Sequence, residues 1–352
     1  MHRVIIIDLI DFARDDFWVI MVVMIGTPQQ KAKKHYLGWA VLVILAVIAV
    51  IIFLNRAWFY DWYRGITYRP VAEMAAIRDK LDLTGRGEFL FNAAQPELNT
   101  ATEFNGNCRQ DESEVAVLGC YTTGNIYIYN ITDDKLDGIR ELTTAHELLH
   151  VVWARMSEDE KAALVEPLTR TFEANQSLLE EEIDQYDTSE RQEELYVRAG
   201  TEIKDLPVVL EKHFAEIFED QDKIVDFYES YIEVFREIKA QMERLMSEME
   251  VLRDEINAKT AEYEAEVGVL EADIANFNNC AETLGCFASE WEFYVQRNAL
   301  MAREDALNIL NGEINGLVDE YNAKVDEYNA DVTESRKLQD IINSNSEIKE
   351  IK

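Results

Sequence analysis

Two histidines four residues apart, with a glutamate next to the first, give this sequence its clearest chemical signal, His146-Glu147-Leu148-Leu149-His150. On a helix, residues i and i+4 share a face, so both imidazoles can reach one metal ion. Zinc binds imidazole nitrogens at about 2.0–2.1 Å and prefers four ligands. Glu147 lies one step round the helix, where it can stay off the metal and take a proton from the water that the metal activates. The segment therefore predicts a zinc (Zn²⁺) site with Glu147 as its catalytic base.

The surroundings of this motif favour a buried active-site helix. Residues 143–145 and 151–152 carry no charge, and the whole chain has only five histidines. A strand with period-two alternation is predicted over residues 125–131, directly before a helix predicted from about residue 137 to residue 156. The alternative is that both histidines are ordinary helix residues that bind no metal.

The helix TAHELLH, residues 144–150, following a strand, resembles the zincin metallopeptidases. In the gluzincin branch of that group, a glutamate from a later helix is the third metal ligand. Residues 194–202 are similar to the downstream helix of the MtfA and lethal-factor-like group, where a glutamate precedes aromatic and small residues and then a second acid. The resemblance covers roughly residues 120–215. The metzincin extension is absent, because residues 151–156 hold neither its glycine nor its third histidine.

The resemblance implies a role for each matching residue. His146 and His150 are expected to be zinc ligands, Glu147 the catalytic base and Glu194 the third ligand. Glu202 is the reserve, either as an alternative ligand or as a residue that orients an imidazole by a hydrogen bond.

Two further features follow from the resemblance. The strand at 125–131 is expected to be an edge strand, with which an extended substrate peptide pairs through backbone hydrogen bonds. Sites of this kind also contain a donor that stabilises the tetrahedral oxyanion, and Tyr186 and Tyr196 are the candidates.

A long apolar run precedes this region. Residues 36–55 contain no charged side chain, and about twenty residues of helix match the thickness of a bilayer core. Aromatic residues flank the run on both sides, as interfacial belts do: Tyr36, Trp39, Trp58, Tyr60, Trp62 and Tyr63. The run predicts a transmembrane helix, the alternative being a buried core helix.

The flanking charges and the cysteines bear on the orientation of this helix. A tight cluster of lysines precedes it, which favours a cytoplasmic leader at residues 1–35, although Met24 is an alternative start. The four cysteines form two close pairs, Cys108 with Cys120 and Cys280 with Cys286, and neither pair has metal-binding CxxC spacing. Local pairs outside the cytosol usually become disulfides. We therefore expect extracytoplasmic C-terminal domains at a cell membrane, whereas four free thiols would indicate a reducing compartment.

The C-terminal third has a different pattern. Apolar residues alternate steps of four and three from Ile224, and a second heptad run follows a break near residues 278–285. Residues 318–324 and 325–331 form a seven-residue repeat, VDEYNAK and VDEYNAD. The pattern predicts an antiparallel coiled-coil hairpin stapled at its tip, with a long parallel dimer as the alternative.

Composition limits the partners. With 34 basic and 68 acidic residues, the net charge of −34 argues against nucleic-acid binding. The expected fold is α+β but predominantly α, and its expected parts are a leader at 1–35, a transmembrane helix at 36–55, a zincin-like domain at 56–217, a coiled-coil hairpin at 218–345 and a tail at 346–352.

Two functions are compatible with this sequence. The first is a membrane-anchored zinc metalloendopeptidase that acts on a peptide or protein substrate. The second is an envelope interaction or adhesion protein, in which the coiled coil binds a partner or self-associates and the HExxH domain is structural or inactive.

Overall fold

The computed structural model describes three stretches of the 352-residue chain, residues 33–108, 117–175 and 188–344. Tyr186, nearly all of the predicted leader and the tail at 346–352 lie outside the described residues. The chain forms two compact units, one ending at Tyr60 and the other beginning at Asp61. The domain boundaries expected from the sequence at 217/218 and 345/346 stay predictions.

The expected fold class is confirmed at the coarse level, since the described chain is predominantly helical with one small sheet. The helices are α1 (Lys33–Leu54), α2 (Arg56–Thr67), α3 (Ala72–Leu81), α4 (Gly85–Ala94), α5 (Ala101–Asn107), α6 (Ile139–Arg155), α7 (Glu158–Ala174), α8 (Thr188–Glu202), α9 (Val208–Phe214), α10 (Gln221–Glu282) and α11 (Glu290–Ile342). The strands are β1 (Glu97–Asn99), β2 (Gly119–Thr122) and β3 (Asn125–Tyr129).

Helix α1 contains the apolar run. Within the described residues, no single helix is both long and apolar enough to cross a membrane, but Gly38–Leu54 and Arg56–Thr67 meet the length and composition requirements together as a bent pair.

The sheet corrects the expectation that residues 125–131 form an edge strand. The strand order is β1-β3-β2, so β3 is central, parallel to β1 and antiparallel to β2. β2 and β3 are joined by a two-residue turn in which Thr123 and Gly124 have φ values of 51° and 87°. Both values are positive, as a tight hairpin turn of this kind requires. The sequence does not predict β1, because its three residues are too few to show an alternating pattern.

Helices α6 and α8 pack closely in the main core. The core side of α6 is lined by Ala145, Leu148, Leu149 and Val152, all buried. Gly200 makes the approach of α8 possible, because a Cβ atom there would lie 2.5 Å from Leu149 Cδ1 and 2.6 Å from Phe214 Cε1. A larger residue at this position would push apart the two helices that carry the predicted metal ligands.

Helices α10 and α11 are long antiparallel neighbours. Three ion pairs between them fix the direction, because the residue number on one helix rises as the other falls: Lys324–Glu248 at 2.5 Å, Lys259–Glu313 at 2.8 Å and Arg303–Asp273 at 2.6 Å. Leu245, Leu252 and Leu270 of α10 are buried. The supercoiling that would make this pair a coiled coil stays a prediction.

Both predicted cysteine pairs are disulfides. Cys108–Cys120 connects the end of α5 to β2, with its Cα atoms 5.9 Å apart. Cys280–Cys286 spans the connection between α10 and α11, with a Cα separation of 5.4 Å. The first disulfide lies in a second, smaller apolar cluster that includes Phe104 and Tyr129. Tyr231 of α10 and Leu338 of α11 pack in the same cluster.

Candidate metal centre

The two histidines of the motif are neighbours on α6. The ring centroids of His146 and His150 are 5.1 Å apart, and their side chains are 25% and 20% exposed. The opposite side of α6 is held in the main core by apolar residues. Because the buried side fixes the rotation of the helix, both imidazoles point to the same side of α6.

Glu194 completes a three-residue cluster from α8. Its Oε1 atom lies 3.8 Å from His146 Nε2, and its Oε2 atom lies 3.8 Å from His150 Nε2. One ligand atom from each of the three residues lies within 4.8 Å of the others, so the group can hold a metal ion. The predicted third ligand therefore lies next to both histidines, and the zinc identity of the ion stays a proposal.

Glu193 contacts the Nδ1 atom of His150, the ring nitrogen that does not face Glu194. His150 Nδ1 lies 2.8 Å from Glu193 Oε1. With Glu193 ionised, its carboxylate can only accept, so Nδ1 carries the proton and Nε2 is left to face Glu194. Carboxylates commonly orient metal-binding histidines in this way. Sequence reasoning missed Glu193, although a second acid beside the proposed ligand was a usable signal.

The reserve residue Glu202 has a different partner. Arg198 donates from Nε and Nη2 to its two carboxylate oxygens, at 2.9 and 2.8 Å. Glu202 is not a member of the metal-binding cluster found among the described residues. Glu193, which is hydrogen-bonded to His150, is therefore placed for the orienting role that was expected of Glu202.

Tyr196 lies in the core. Its ring is fully buried among Trp153, His213 and Phe214, and its hydroxyl lies 3.0 Å from His213 Nε2. Residues two positions apart on a helix point about 200° apart, so Tyr196 and Glu194 project to opposite sides of α8. This placement does not suit the oxyanion-stabilising role expected of Tyr196.

Glu147 lies in a closed environment beside β2. It is only 5% exposed, and the backbone amide of Tyr121 is near enough to lower its pKa slightly. Burial raises the pKa of Glu147 to about 7, and the nearby charge of Glu194 acts in the same direction. Gly119 makes room for it, since a Cβ atom there would lie 2.7 Å from Glu147 Oε1 and 2.6 Å from Thr143 Cγ2.

The two imidazoles titrate differently. Burial lowers the pKa of His146 well below its usual value, and the adjacent His150 contributes. Burial alone would also lower the pKa of His150, but the hydrogen bond to Glu193 and the charges of Glu147 and Glu194 raise it to about 9. These three carboxylates therefore favour the protonated form of His150 in the metal-free chain.

This protonation predicts a pH-dependent metal affinity. Metal and proton compete for His150, so apparent affinity is expected to fall about tenfold for each pH unit below 9. In Glu193→Gln the pKa of His150 is expected to fall. The apparent metal affinity should then change less with pH between pH 7 and 9. Competition titrations with a chelator from pH 6.5 to 9 measure this, with Glu190→Gln on the same helix as the control. Equal pH slopes in Glu193→Gln and the control would contradict the role of Glu193.

The donor set fits zinc. Two imidazole nitrogens and one carboxylate oxygen, with a fourth position left over, are the ligands of many catalytic zinc sites. The 3.8 Å separations from Glu194 to each imidazole are close to the about 3.4 Å between neighbouring ligands of tetrahedral zinc.

Comparisons with protein-family models, curated proteins and solved structures found no match for this chain.

Proposed function

We propose that this chain is a membrane-anchored, zinc-dependent metalloendopeptidase of the gluzincin-like type. One observation carries the proposal. His146, His150 and Glu194 converge from two helices, and Glu147, the residue next to the first histidine, is buried beside them without being part of the cluster. Three ligands and a separate carboxylate are the parts that zinc-assisted peptide hydrolysis requires.

In this proposal His146, His150 and Glu194 would hold the ion, which would supply Lewis acidity to the attacking water and the peptide carbonyl. Glu147 accepts a proton from water and then gives it to the leaving amine. Glu193 keeps the proton of His150 on Nδ1.

The test is peptide hydrolysis by the full-length chain in detergent. The protein is expected to cleave members of a mixed peptide library, to lose this activity on removal of metal by a chelator, and to regain it with one equivalent of zinc. A folded chain that contains one zinc ion and cleaves no peptide in the library would count against the peptidase function.

Two observations support the membrane anchor and its orientation. Most apolar side chains of α1 are about half exposed or more, including Leu42, Val43, Ile44 and Phe53, which is unfavourable in water and expected in lipid. Both disulfides favour an oxidising compartment for the C-terminal domains. After mild reduction, a membrane-impermeant thiol reagent should label these cysteines in intact cells. Labelling only after lysis would reverse the orientation.

The tip of the helical hairpin favours a second candidate function, an envelope interaction protein. Leu284 is fully exposed and Trp291 is 75% exposed, next to a packed cluster of Phe277, Phe287 and Phe293. Exposed large apolar side chains at such a site are typical of interaction surfaces. If a cellular phenotype is lost in Leu284→Ser/Trp291→Ser but kept in Glu147→Gln, the interaction function is favoured over the enzyme.

A further inference from the structure

One guanidinium group connects α2 to β2. Arg155, at the end of α6, donates from Nε and Nη2 to the carboxylate of Asp61 in α2, at 2.8 and 3.0 Å. Its third nitrogen, Nη1, donates to the hydroxyl of Tyr121 in β2 at 2.8 Å. Asp61 is only 7% exposed, so this contact is shielded from water. All three groups are held in one planar fork, which has little freedom to shift.

A second arginine connects α2 to the same hairpin. Arg64 Nη2 donates to the backbone carbonyl of Gly124 at 3.0 Å and also to the side-chain oxygen of Asn125. Its Nε donates to the carbonyl of Ala93 at 2.7 Å, which anchors the guanidinium to α4. Helix α2 therefore holds the β2–β3 hairpin at two points, the side chain of Tyr121 and the turn.

The hairpin in turn contacts the carboxylate of the proposed base. Tyr121 has its side chain bound by Arg155, and its backbone amide lies near enough to Glu147 to lower the pKa of that carboxyl. Gly119, two residues earlier, lies directly against the Glu147 side chain. The metal-binding cluster has other supports, because its three residues lie on α6 and α8.

From this arrangement we propose that Asp61, Arg64 and Arg155 are positioning residues for Glu147, and that α2 is thereby a structural part of the active site. We call these three residues the clasp. Only Asn55 separates α2 from α1 in the sequence, so the predicted membrane helix is followed directly by the helix that carries Asp61 and Arg64. The catalytic consequence depends on the proposed peptidase function, whereas the positioning itself does not.

The clasp predicts an effect confined to β2. In the full-length chain, Asp61→Asn and Arg155→Gln are expected to speed hydrogen exchange of the β2 amides at least tenfold. Exchange around Glu194 in α8 and the zinc content should stay unchanged. Tyr121→Phe removes only the hydrogen bond between Arg155 and the Tyr121 hydroxyl. This variant replaces Asp61→Asn and Arg155→Gln in the test if those two fold poorly. Arg69→Gln is the matched control, because within the described part of the chain its Nη1 donates to the nearby carbonyls of Ile66 and Tyr68.

The kinetic readout separates positioning from general stability. Asp61→Asn and Tyr121→Phe should lower kcat about tenfold with KM unchanged, because a displaced base weakens the transition state but not substrate binding. Exchange of β2 in these variants equal to that of Arg69→Gln would overturn the clasp. Faster exchange with unchanged kcat would overturn the positioning role. If the wild-type chain cleaves no peptide, the proposed function fails, and the exchange comparison still decides whether the clasp holds β2.

Discussion

Glu147→Gln is expected to lower kcat by about a thousandfold while leaving one zinc ion bound per chain. General-base catalysis contributes about 10²–10⁴-fold, and an amide cannot accept the proton. The amide has nearly the size of the carboxylate, so the packing of this side chain against Gly119 and Tyr121 should be preserved. Steady-state hydrolysis of a cleaved library peptide, together with metal analysis of the same sample, measures both quantities.

The matched control for this variant is Glu158→Gln, which makes the same chemical change on the exposed start of α7. Its kcat should equal that of the wild type. If Glu147→Gln kept more than a tenth of wild-type kcat with its zinc in place, Glu147 would not be the base. If the zinc were lost as well, Glu147 would be required for metal binding, which its exclusion from the cluster argues against.

Gly119→Ala should give the second-largest effect. The added Cβ atom would meet Glu147 Oε1 at 2.7 Å and Thr143 Cγ2 at 2.6 Å, so either the base or the whole of β2 must move. Overpacking of this kind typically costs about 1–3 kcal/mol. We expect a ten- to hundredfold fall in kcat and a lower melting temperature, with the zinc content unchanged, because no ligand lies on β2.

Gly106→Ala in α5 is the control, since a Cβ atom there meets nothing within 4 Å. Thermal unfolding and kcat should both stay near the wild-type values in this variant. Wild-type kcat in Gly119→Ala would mean that the contact between β2 and Glu147 has no importance for catalysis.

The sequence predicts the histidine pair on α6 more directly than it predicts Glu194 on α8. The i, i+4 spacing of His146 and His150 is a property of any helix, so their shared face follows from the sequence alone. Glu194 was reached through the family resemblance. Whether Glu193 or Glu202 orients an imidazole depends on the rotation of α8, which tertiary packing at Gly200 sets and no local pattern records.

Three other features of the structure could not be predicted from local sequence patterns. Tyr196 was named for its chemistry, yet its position two residues after Glu194 places it on the far side of the helix. β1 pairs with β3 through a three-residue segment too short to show alternation, which made β3 look like an edge. The link from Asp61 to Arg155 joins residues 94 positions apart in the sequence, a pairing that only the fold reveals.

The most direct test of the account is the metal content of the full-length chain, measured by mass spectrometry for the wild type, His146→Ala, Glu194→Ala and the control Glu202→Gln. We expect close to one zinc ion per chain in the wild type and in Glu202→Gln, and its loss in both ligand variants. Zinc retained in Glu194→Ala but lost in Glu202→Gln would assign the third ligand to Glu202. A well-folded wild-type chain without zinc would contradict the metal centre and leave the helical hairpin as the functional part of the molecule.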